Sequence, residues 1–442
     1  MTTLKFSEIA QKHPLLQTDN LDGVLTYWPQ HINTYLLARY MPLVTENKDK
    51  IEMDVQAAKR GGMTPMVAMD SEAPIYDQPH GRGKVEFEAA SFREKVKLGI
   101  QDLYDLRRIG TRDELVQARR LMKSRFEDLE YRLLNRMENL RKQVLFDGEV
   151  RCKLPNGQEF VQPYKHPSYL EPELSGTDLF SDYANSDPVP VLQDIIEDYE
   201  MDTGRTLDVM IFPHGMMNHL LQNDKFRDLA MARTGMESVM LTNEQTKKIM
   251  LELLGVGTII ESKDFIHYQT ALVADAVQTA ASLELFSVED MEVGDLVYIV
   301  SQEDFDREKF EVTAINGTTV TIDQVGTATG GVQRAGGFKT GDSVKYQKRV
   351  IPEDTILMLG SWNGPLNQEG VTETKGEEFL NRWAEVVSTR SLYADLENPK
   401  PGVYTKSKDN LDGDPPHIEQ ILGIRALPRV NQNDAWLTLK AL

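Results

Sequence analysis

Several short stretches of the sequence carry residue types that could bind a phosphate or an ion. The segment HGRGKV (80–85) contains a Gly-Lys pair, but it lacks the G-x-x-x-x-G-K-[ST] spacing of a phosphate-binding loop. The acidic segment DNLDGD (409–414) fails as a calcium loop, because Leu411 and Gly413 stand at the third and fifth positions, where oxygen ligands are needed. We interpret both segments as turns.

The histidines and the cysteine form no better pattern. His214 and His219 are five residues apart, whereas helical zinc pairs are typically four apart, and no third ligand is close in sequence. Cys152 is the only cysteine, so an intrachain disulfide and a thiolate cluster are excluded. The sequence therefore predicts no enzyme, no cofactor and no metal site. Carboxylates brought together by folding would leave no motif, so an enzyme with scattered carboxylates stays an alternative.

Composition and charge restrict the class of protein further. With 442 residues, 40% hydrophobic and 27% charged, the chain is expected to be globular and to hold two or three domains. No window approaches the ~18 consecutive apolar residues of a membrane span, and the N-terminal residues lack the pattern of a signal peptide. The net charge of −20 argues against sequence-specific DNA binding, which normally uses a basic face.

The most unusual segment is a helix predicted over residues 111–147. Thr111 and Glu114 fit a capping box, and Gly148 ends the helix. Apolar residues recur at intervals of three, four and four, an eleven-residue period that keeps them on one face of a nearly straight helix of roughly 50 Å. We interpret the other faces, rich in Arg, Lys and Glu, as charged surface, and expect the apolar face to lie across a sheet; a heptad coiled coil is the alternative. The apolar stripe comprises Leu115, Ala118, Met122, Phe126, Leu129, Leu133, Met137, Leu140 and Val144.

Before this helix, the chain makes an extended excursion over residues 61–105 that is rich in Gly, Pro and Met. Segment 84–88 (KVEFE) alternates apolar and charged residues as a strand does, and so does IEMDV (51–55). An isolated two-stranded ribbon is marginal in water, so we expect this excursion to lean on a neighbouring subunit. The candidate residues for that contact are Met63, Met66, Met69, Tyr76, Arg82, Val85, Phe87 and Phe92.

After the helix, the pattern changes to an α+β core. A helix in 187–204 precedes the buried strand TLDVMIF (206–212), and GVGTIIES (255–262) and DTILMLG (354–360) are further strands. Asn316-Gly317 lies between β-type segments and predicts a hairpin inside an inserted β module at 286–348; a long hairpin decoration is the alternative. We interpret residues 398–417 as a loop and expect two strands in HIEQILGIRALPRV (417–430) and AWLTLKAL (435–442).

This order of elements resembles the major capsid proteins of tailed bacteriophages with the HK97 fold, and more narrowly the lambda-type (major capsid protein E) family. The extended loop of that family is similar to RGGMTPMVAMDSEAPIYDQPHGRGKVEFEAASF, and its spine helix is similar to residues 111–148. The segment LDVMIFPHGMMNHLLQNDKF resembles the axial domain, and PRVNQNDAWLTLKAL resembles the closing strands.

The resemblance implies an α+β, HK97-like fold with a division of the chain into named parts. These parts are an N-terminal arm (1–60), an extended loop (61–105), a peripheral domain (106–182) with the spine helix 111–147, an axial domain (183–285 and 349–397), an inserted β-rich domain (286–348) and the closing loop and strands of the peripheral domain (398–442).

The resemblance also implies a function and partners. The chain would self-assemble into hexamers and pentamers of an icosahedral shell around phage double-stranded DNA, without sequence-specific DNA binding and without a membrane. A scaffolding protein, a portal and a decoration protein would be its partners, and it would be made in the host cytoplasm and end in the virion. A fused scaffold is not expected. The encapsulin-like nanocompartment shell, with the same fold around protein cargo, is the alternative.

Overall fold

The computed structural model describes residues 35–56, 82–98, 112–153, 158–234, 242–325, 332–334, 336–362, 383–391, 401–410 and 417–442. The chain forms two compact units. The first falls within Met1–Val150, Gln162–Ser262 and Ile351–Leu442, and the second within Arg151–Val161 and Lys263–Val350.

The helices belong to the first unit and differ greatly in length. None of those in the described residues is long and apolar enough to cross a bilayer. They are α1 (Leu37–Tyr40), α2 (Arg112–Lys142), α3 (Pro188–Thr203), α4 (Met216–Gln222), α5 (Asp224–Thr234) and α6 (Asn243–Leu254), with short 3-10 turns at Ser168–Leu170 and Gly176–Asp178.

Helix α2 is the long helix that the apolar period predicts. It continues as a π-helical turn, Gln143–Asp147, and ends at Gly148, whose φ of 67° is left-handed. The second half of the predicted stripe is buried, as expected, but from Met137 onwards the helix is buried on its other faces too, so the one-faced pattern does not hold there. Thr111 and the side chains of the first half lie outside the described residues. The buried members are Leu129, Leu133, Met137, Leu140 and Val144.

A five-stranded sheet is built around one long strand near the C-terminus, β18 (His417–Val430). One edge of β18 pairs with β17 and then with β16, the other edge pairs with β4, and β1 pairs in parallel with β16. The other strands of this sheet are β1 (Leu43–Thr45), β4 (Ala90–Leu98), β16 (Ala384–Ser388) and β17 (Tyr404–Asn410).

A four-stranded sheet of order β19-β15-β7-β8 carries a hydrophobic core of the first unit. Helix α3 ends at Gly204 in the left-handed conformation, as the sequence predicts, and α6 begins with a capping box between Thr242 and Gln245. Pro213 is the last residue of β7, and the next helix begins at Met216. The strands are β7 (Arg205–Pro213), β8 (Thr258–Ser262), β15 (Thr355–Trp362) and β19 (Trp436–Lys440).

Two further sheets have two strands each, and we call them ribbons. The ribbon β2–β3 joins Lys50–Gln56 to Arg82–Glu88, and β5–β6 joins Glu149–Lys153 to Glu159–Pro163. The residues between the two strands of the second ribbon, 154–157, lie outside the described residues.

The second unit contains a six-stranded antiparallel sheet of order β10-β13-β12-β11-β14-β9. Its two edge strands meet, because Leu272 bridges Leu285 and the amides of Val273 and Phe286 donate to Glu284 and Ala271. The sheet therefore closes into a small barrel around its own apolar core, which removes free strand edges. The strands are β9 (Phe265–Ala271), β10 (Ser282–Glu284), β11 (Leu296–Val300), β12 (Arg307–Asn316), β13 (Thr319–Gln324) and β14 (Ser343–Arg349).

The described strands of residues 286–348 all lie in this six-stranded sheet. The predicted β12–β13 hairpin turns at Gly317, and the sheet also takes in β9 and β10, which precede the predicted start at 286. The names given to the parts of the chain, from arm to axial domain, stay predictions.

Our interpretation of residues 398–417 as a loop is wrong in part. Strand β17 (Tyr404–Asn410) pairs with β18 along its whole length. Its side chains are mostly polar or charged, as in TKSKDN, so no apolar alternation marks it as a strand. Backbone pairing with a buried neighbour, not side-chain burial, holds it.

Two adjacent glycines in the barrel give a matched test of close packing. Both have left-handed backbones, with φ of 90° at Gly336 and 72° at Gly337, so an alanine at either costs about 1–2 kcal/mol. At Gly337 an added Cβ would also lie 2.1 Å from the Ala276 carbonyl oxygen, whereas nothing lies within 4 Å at Gly336. We expect Gly337→Ala to destabilise the barrel by a further ~1–3 kcal/mol. Urea unfolding monitored by hydrogen exchange of β9–β14 measures this, and equal losses in the two variants would contradict it.

Candidate assembly site

The first described residues of the chain are fixed to the C-terminal half of α2 by polar contacts. The Leu37 amide donates to Glu138 Oε1 at 3.2 Å, and Arg141 Nε donates to the Met41 carbonyl at 2.8 Å. Leu37 and Met41 are themselves fully buried. We call this group the arm anchor; it comprises Tyr35, Leu37 and Met41 with Asn135, Glu138 and Arg141, and the Tyr35 hydroxyl donates to Asn135.

An ion pair lies at the centre of the arm anchor. Arg141 Nη1 is 2.8 Å from Glu138 Oε2, and the two side chains are 1% and 0% exposed. Charges buried to this degree are tolerated only when they are paired and hydrogen-bonded. Our interpretation of every charged residue of α2 as surface is therefore wrong for these two. The sequence did contain an indication of this pair. Glu138 and Arg141 have opposite charges, are three residues apart, and lie directly beside Met137 and Leu140 of the stripe.

The ribbon β2–β3 follows the arm anchor and leads toward the segment 57–81. Its register places Ile51 opposite Phe87 and Met53 opposite Val85. Ile51, Met53 and Phe87 are buried, and the Phe87 ring meets Tyr164 edge-to-face at 6.3 Å. Burial within the chain thus fixes the base of the ribbon.

The predicted contact residues fall into three groups. Val85 is 42% exposed, the highest value among the ribbon's apolar side chains whose burial the structure describes, whereas Phe87 is already covered. Phe92, on β4, is partly buried, with the Arg136 guanidinium 5.5 Å from its ring centroid. Arg82 is described only as the first residue of β3. Met63, Met66, Met69 and Tyr76 lie outside the described residues, and their role stays a prediction.

Strand β4 connects the ribbon to both the long helix and the five-stranded sheet. Arg132 Nε of α2 lies 3.1 Å from Glu94, and both side chains are exposed, so this pair contributes little. Lys95 Nζ lies 2.8 Å from Glu419 Oε1 of β18, where the carboxylate is nearly buried. The ribbon therefore continues into a strand held on both of its sides.

The Lys95–Glu419 contact gives a pH prediction. The hydrogen bond from Lys95, and then that from His417, lowers the pKa of Glu419 below its usual 4.5. A lowered folded-state pKa contributes stability above pH ~4.5, and that contribution is lost as the pH falls through the lowered value. We expect Glu419→Gln to lose less stability than the wild type between pH 7 and pH 3 in urea unfolding. Glu197→Gln on α3 controls for the loss of one charge, and an unchanged pH dependence in Glu419→Gln would contradict the prediction.

The arrangement suits intersubunit binding. Among the described residues, no group of three His, Cys, Asp or Glu side chains could hold a metal ion. The region instead offers a buried anchor for one arm, a two-stranded ribbon and a long rigid helix.

The phage major capsid protein E family matches residues 17–280, more than half of the chain. The chain belongs to this family. It is a capsid protein that forms shells, and the resemblance inferred from the sequence is confirmed. Family members are structural proteins of the virion that assemble with copies of themselves.

Solved structures similar to this capsid protein include phage-related chains at low identity. A prophage capsid protein of Escherichia coli CFT073 is 12% identical, with 97% of this chain and 99% of that chain covered and a TM-score of 0.47. A phage-related protein of Bordetella bronchiseptica RB50 is 8% identical, with coverage of 95% and 96% and a TM-score of 0.44. The SrpI encapsulin of Synechococcus elongatus is 7% identical, with coverage of 93% and 89% and a TM-score of 0.35. Structural similarity at these identities does not indicate a shared function. No curated protein matches this chain.

The capsid protein has the α+β fold class that the sequence predicts. In the described residues, a ribbon, a long helix, an α+β sheet with an inserted β unit and two closing strands occur in the order expected for an HK97-like capsid protein.

Proposed function

We propose that this capsid protein assembles as hexamers and pentamers into an icosahedral shell that encloses phage double-stranded DNA. The observation that carries the proposal is the ribbon β2–β3. It is a sheet of two strands in the described residues, and it leaves Val85 exposed. A ribbon of this kind is marginal alone and gains stability when another subunit covers it.

In the proposed assembly each subunit gives its ribbon to the next one around a ring. Such head-to-tail contacts use two different surfaces and close into rings when the rotation permits. Residues of the segment 61–105 would lie on the neighbour, with Met63, Met66, Met69, Tyr76, Arg82 and Val85 as the candidate contact residues. Phe87 and Phe92, which were also predicted, are already packed against Tyr164 and Arg136 of the same chain. Methionine side chains suit such a surface because they adapt to irregular partners.

The charge of the chain supports enclosure of DNA without tight binding. Neutralising phosphates requires many Lys and Arg, whereas this chain has a net charge of −20. The shell would therefore confine the DNA, not bind its sequence.

The assembled shell would need partner proteins. A scaffolding protein would guide assembly in the host cytoplasm, a portal would occupy one vertex, and the second compact unit would offer a surface to a decoration protein. The chain would have no catalytic role.

Electron microscopy tests the proposal. The protein is expressed alone and with a scaffold-type gene encoded next to it, and purified material is imaged in negative stain. We expect shells, tubes or capsomer rings, with nuclease-protected double-stranded DNA in native particles. Protected protein cargo in place of DNA would favour an encapsulin-like compartment, and a monodisperse monomer under both conditions would contradict a shell.

A further inference from the structure

Phe305 is the most exposed large apolar side chain among the described residues, at 80%. It lies in the turn between β11 and β12, and its φ of 59° is left-handed, a conformation that costs free energy for any residue other than glycine. An exposed ring in a strained backbone stabilises nothing within the barrel. Strain of this kind persists where the surroundings impose it, and it is typical of functional sites.

Backbone and side-chain hydrogen bonds hold this turn in place. The Ser301 amide donates to the Asp306 carbonyl at 2.9 Å, and the Phe305 amide donates to the Ser301 carbonyl at 3.1 Å. Buried Asp342 accepts from the amides of Gln302 and Lys339, both at 2.9 Å. The turn is thus a pre-ordered support for one aromatic ring, which reduces the entropy lost on binding.

Asp304 ties the turn to a second loop at the same end of the barrel. Its carboxylate accepts from Arg334 Nη2 at 2.6 Å, and the hydrogen bond from the Ser301 side chain, followed by that from the Asp306 amide, lowers the pKa of Asp304. Arg334 also donates to the Gly337 carbonyl at 3.0 Å, and Gly337 packs against Val277. Val277 is itself largely exposed. The turn with Phe305 is therefore joined through Arg334 and Gly337 to the segment with Val277, and these three segments form the surface around the turn.

The charge around this surface indicates what kind of partner fits it. Segments 272–281, 301–308 and 332–342 contain six acidic residues and three basic ones, a net charge of −3. Glu303 and Asp304, next to Phe305, are more than half exposed and pair with Lys339 and Arg334 of the second loop. Opposite charges attract across an interface, so a basic surface would be attracted to this end of the barrel.

We propose that the turn Ser301–Asp306 is a docking site for a different protein, which receives Phe305 in an apolar pocket rimmed by Lys and Arg. The inference rests on the proposed function, because the partner would bind the assembled shell as a decoration protein. Aromatic anchors in desolvated pockets carry much of the affinity of interfaces, and the surrounding carboxylates would orient the partner.

Photocrosslinking on native particles tests this inference. p-Benzoylphenylalanine replaces Phe305 in a plasmid-supplied copy of the chain, and the same replacement at Phe286 is the control, because Phe286 is 70% exposed on the same barrel. Irradiated particles are separated by electrophoresis, and crosslinked peptides are sequenced by mass spectrometry. We expect a product between position 305 and a basic segment of a different protein, and little product from position 286.

Two further measurements make the result specific. We expect Phe305→Ala to reduce the partner's occupancy on particles roughly tenfold or more, and high salt to release the partner from wild-type particles. A product between two copies of this chain, no product at position 305, or equal products from both positions would overturn the inference. Shells are counted by negative stain in the same samples: intact particles without the product contradict only this inference, whereas wild-type chain that forms no shell contradicts the proposed function.

Discussion

Arg141→Leu is expected to lower the free energy of unfolding of the first compact unit by about 3–5 kcal/mol. The substitution leaves the Glu138 carboxylate buried without its cation, and it also removes the donor to the Met41 carbonyl. The loss should therefore release the arm from α2 as well as weaken the fold. Urea unfolding of unassembled subunits, followed by circular dichroism, measures the change.

Two variants serve as controls for Arg141→Leu. Arg233→Leu removes the cation of an exposed pair with Glu252, which is worth less than about 1 kcal/mol. The double substitution Glu138→Gln with Arg141→Leu removes the uncompensated charge and should recover part of the lost stability. If Arg141→Leu cost no more than Arg233→Leu, the arm anchor would not have the role assigned to it.

Trp436→Ala is expected to destabilise the first unit by about 3–5 kcal/mol. Trp436 lies on β19 and is almost fully buried; its ring stacks on His166 at 4.3 Å and meets Trp383 at 5.1 Å. Alanine would leave a cavity at the point where the closing strand pairs with β15. A thermal or urea transition of the subunit measures the loss.

The control for Trp436→Ala is an exposed truncation on the same unit. Met201→Ala removes a largely exposed side chain of α3 and should change the stability by less than ~0.5 kcal/mol. Losses of similar size in the two variants would show that β19 does not close the core as described.

Elements that bury one face could be predicted from the sequence. The eleven-residue period of α2 and the apolar run of β18 are visible because burial selects side chains at regular intervals. Gly204 and Gly148 marked helix ends since both adopt left-handed backbones there.

Features that depend on contacts distant in sequence could not be predicted. Strand β17 has polar side chains and is defined only by its pairing with β18. Barrel closure depends on a meeting of Leu272 with Leu285 that no local pattern encodes. The burial of Glu138 and Arg141 follows from the arm that covers them, so their residue types alone suggested surface.

The sequence also predicted part of the candidate assembly site. Alternation in KVEFE correctly indicated a strand, and the short ribbon indicated a need for support. The sequence could not show which apolar side chains the chain itself covers, so Phe87, buried against Tyr164, was grouped with exposed Val85.

A cryo-electron microscopy reconstruction of the assembled particle tests the central claim most directly. We predict a closed shell with six and five copies of this chain around its local axes, and Val85 of each copy covered by the next copy in the ring. Rings or shells in which Val85 remains in solvent would contradict the assigned contact, and a protein that stays monomeric with its scaffold present would contradict the shell itself.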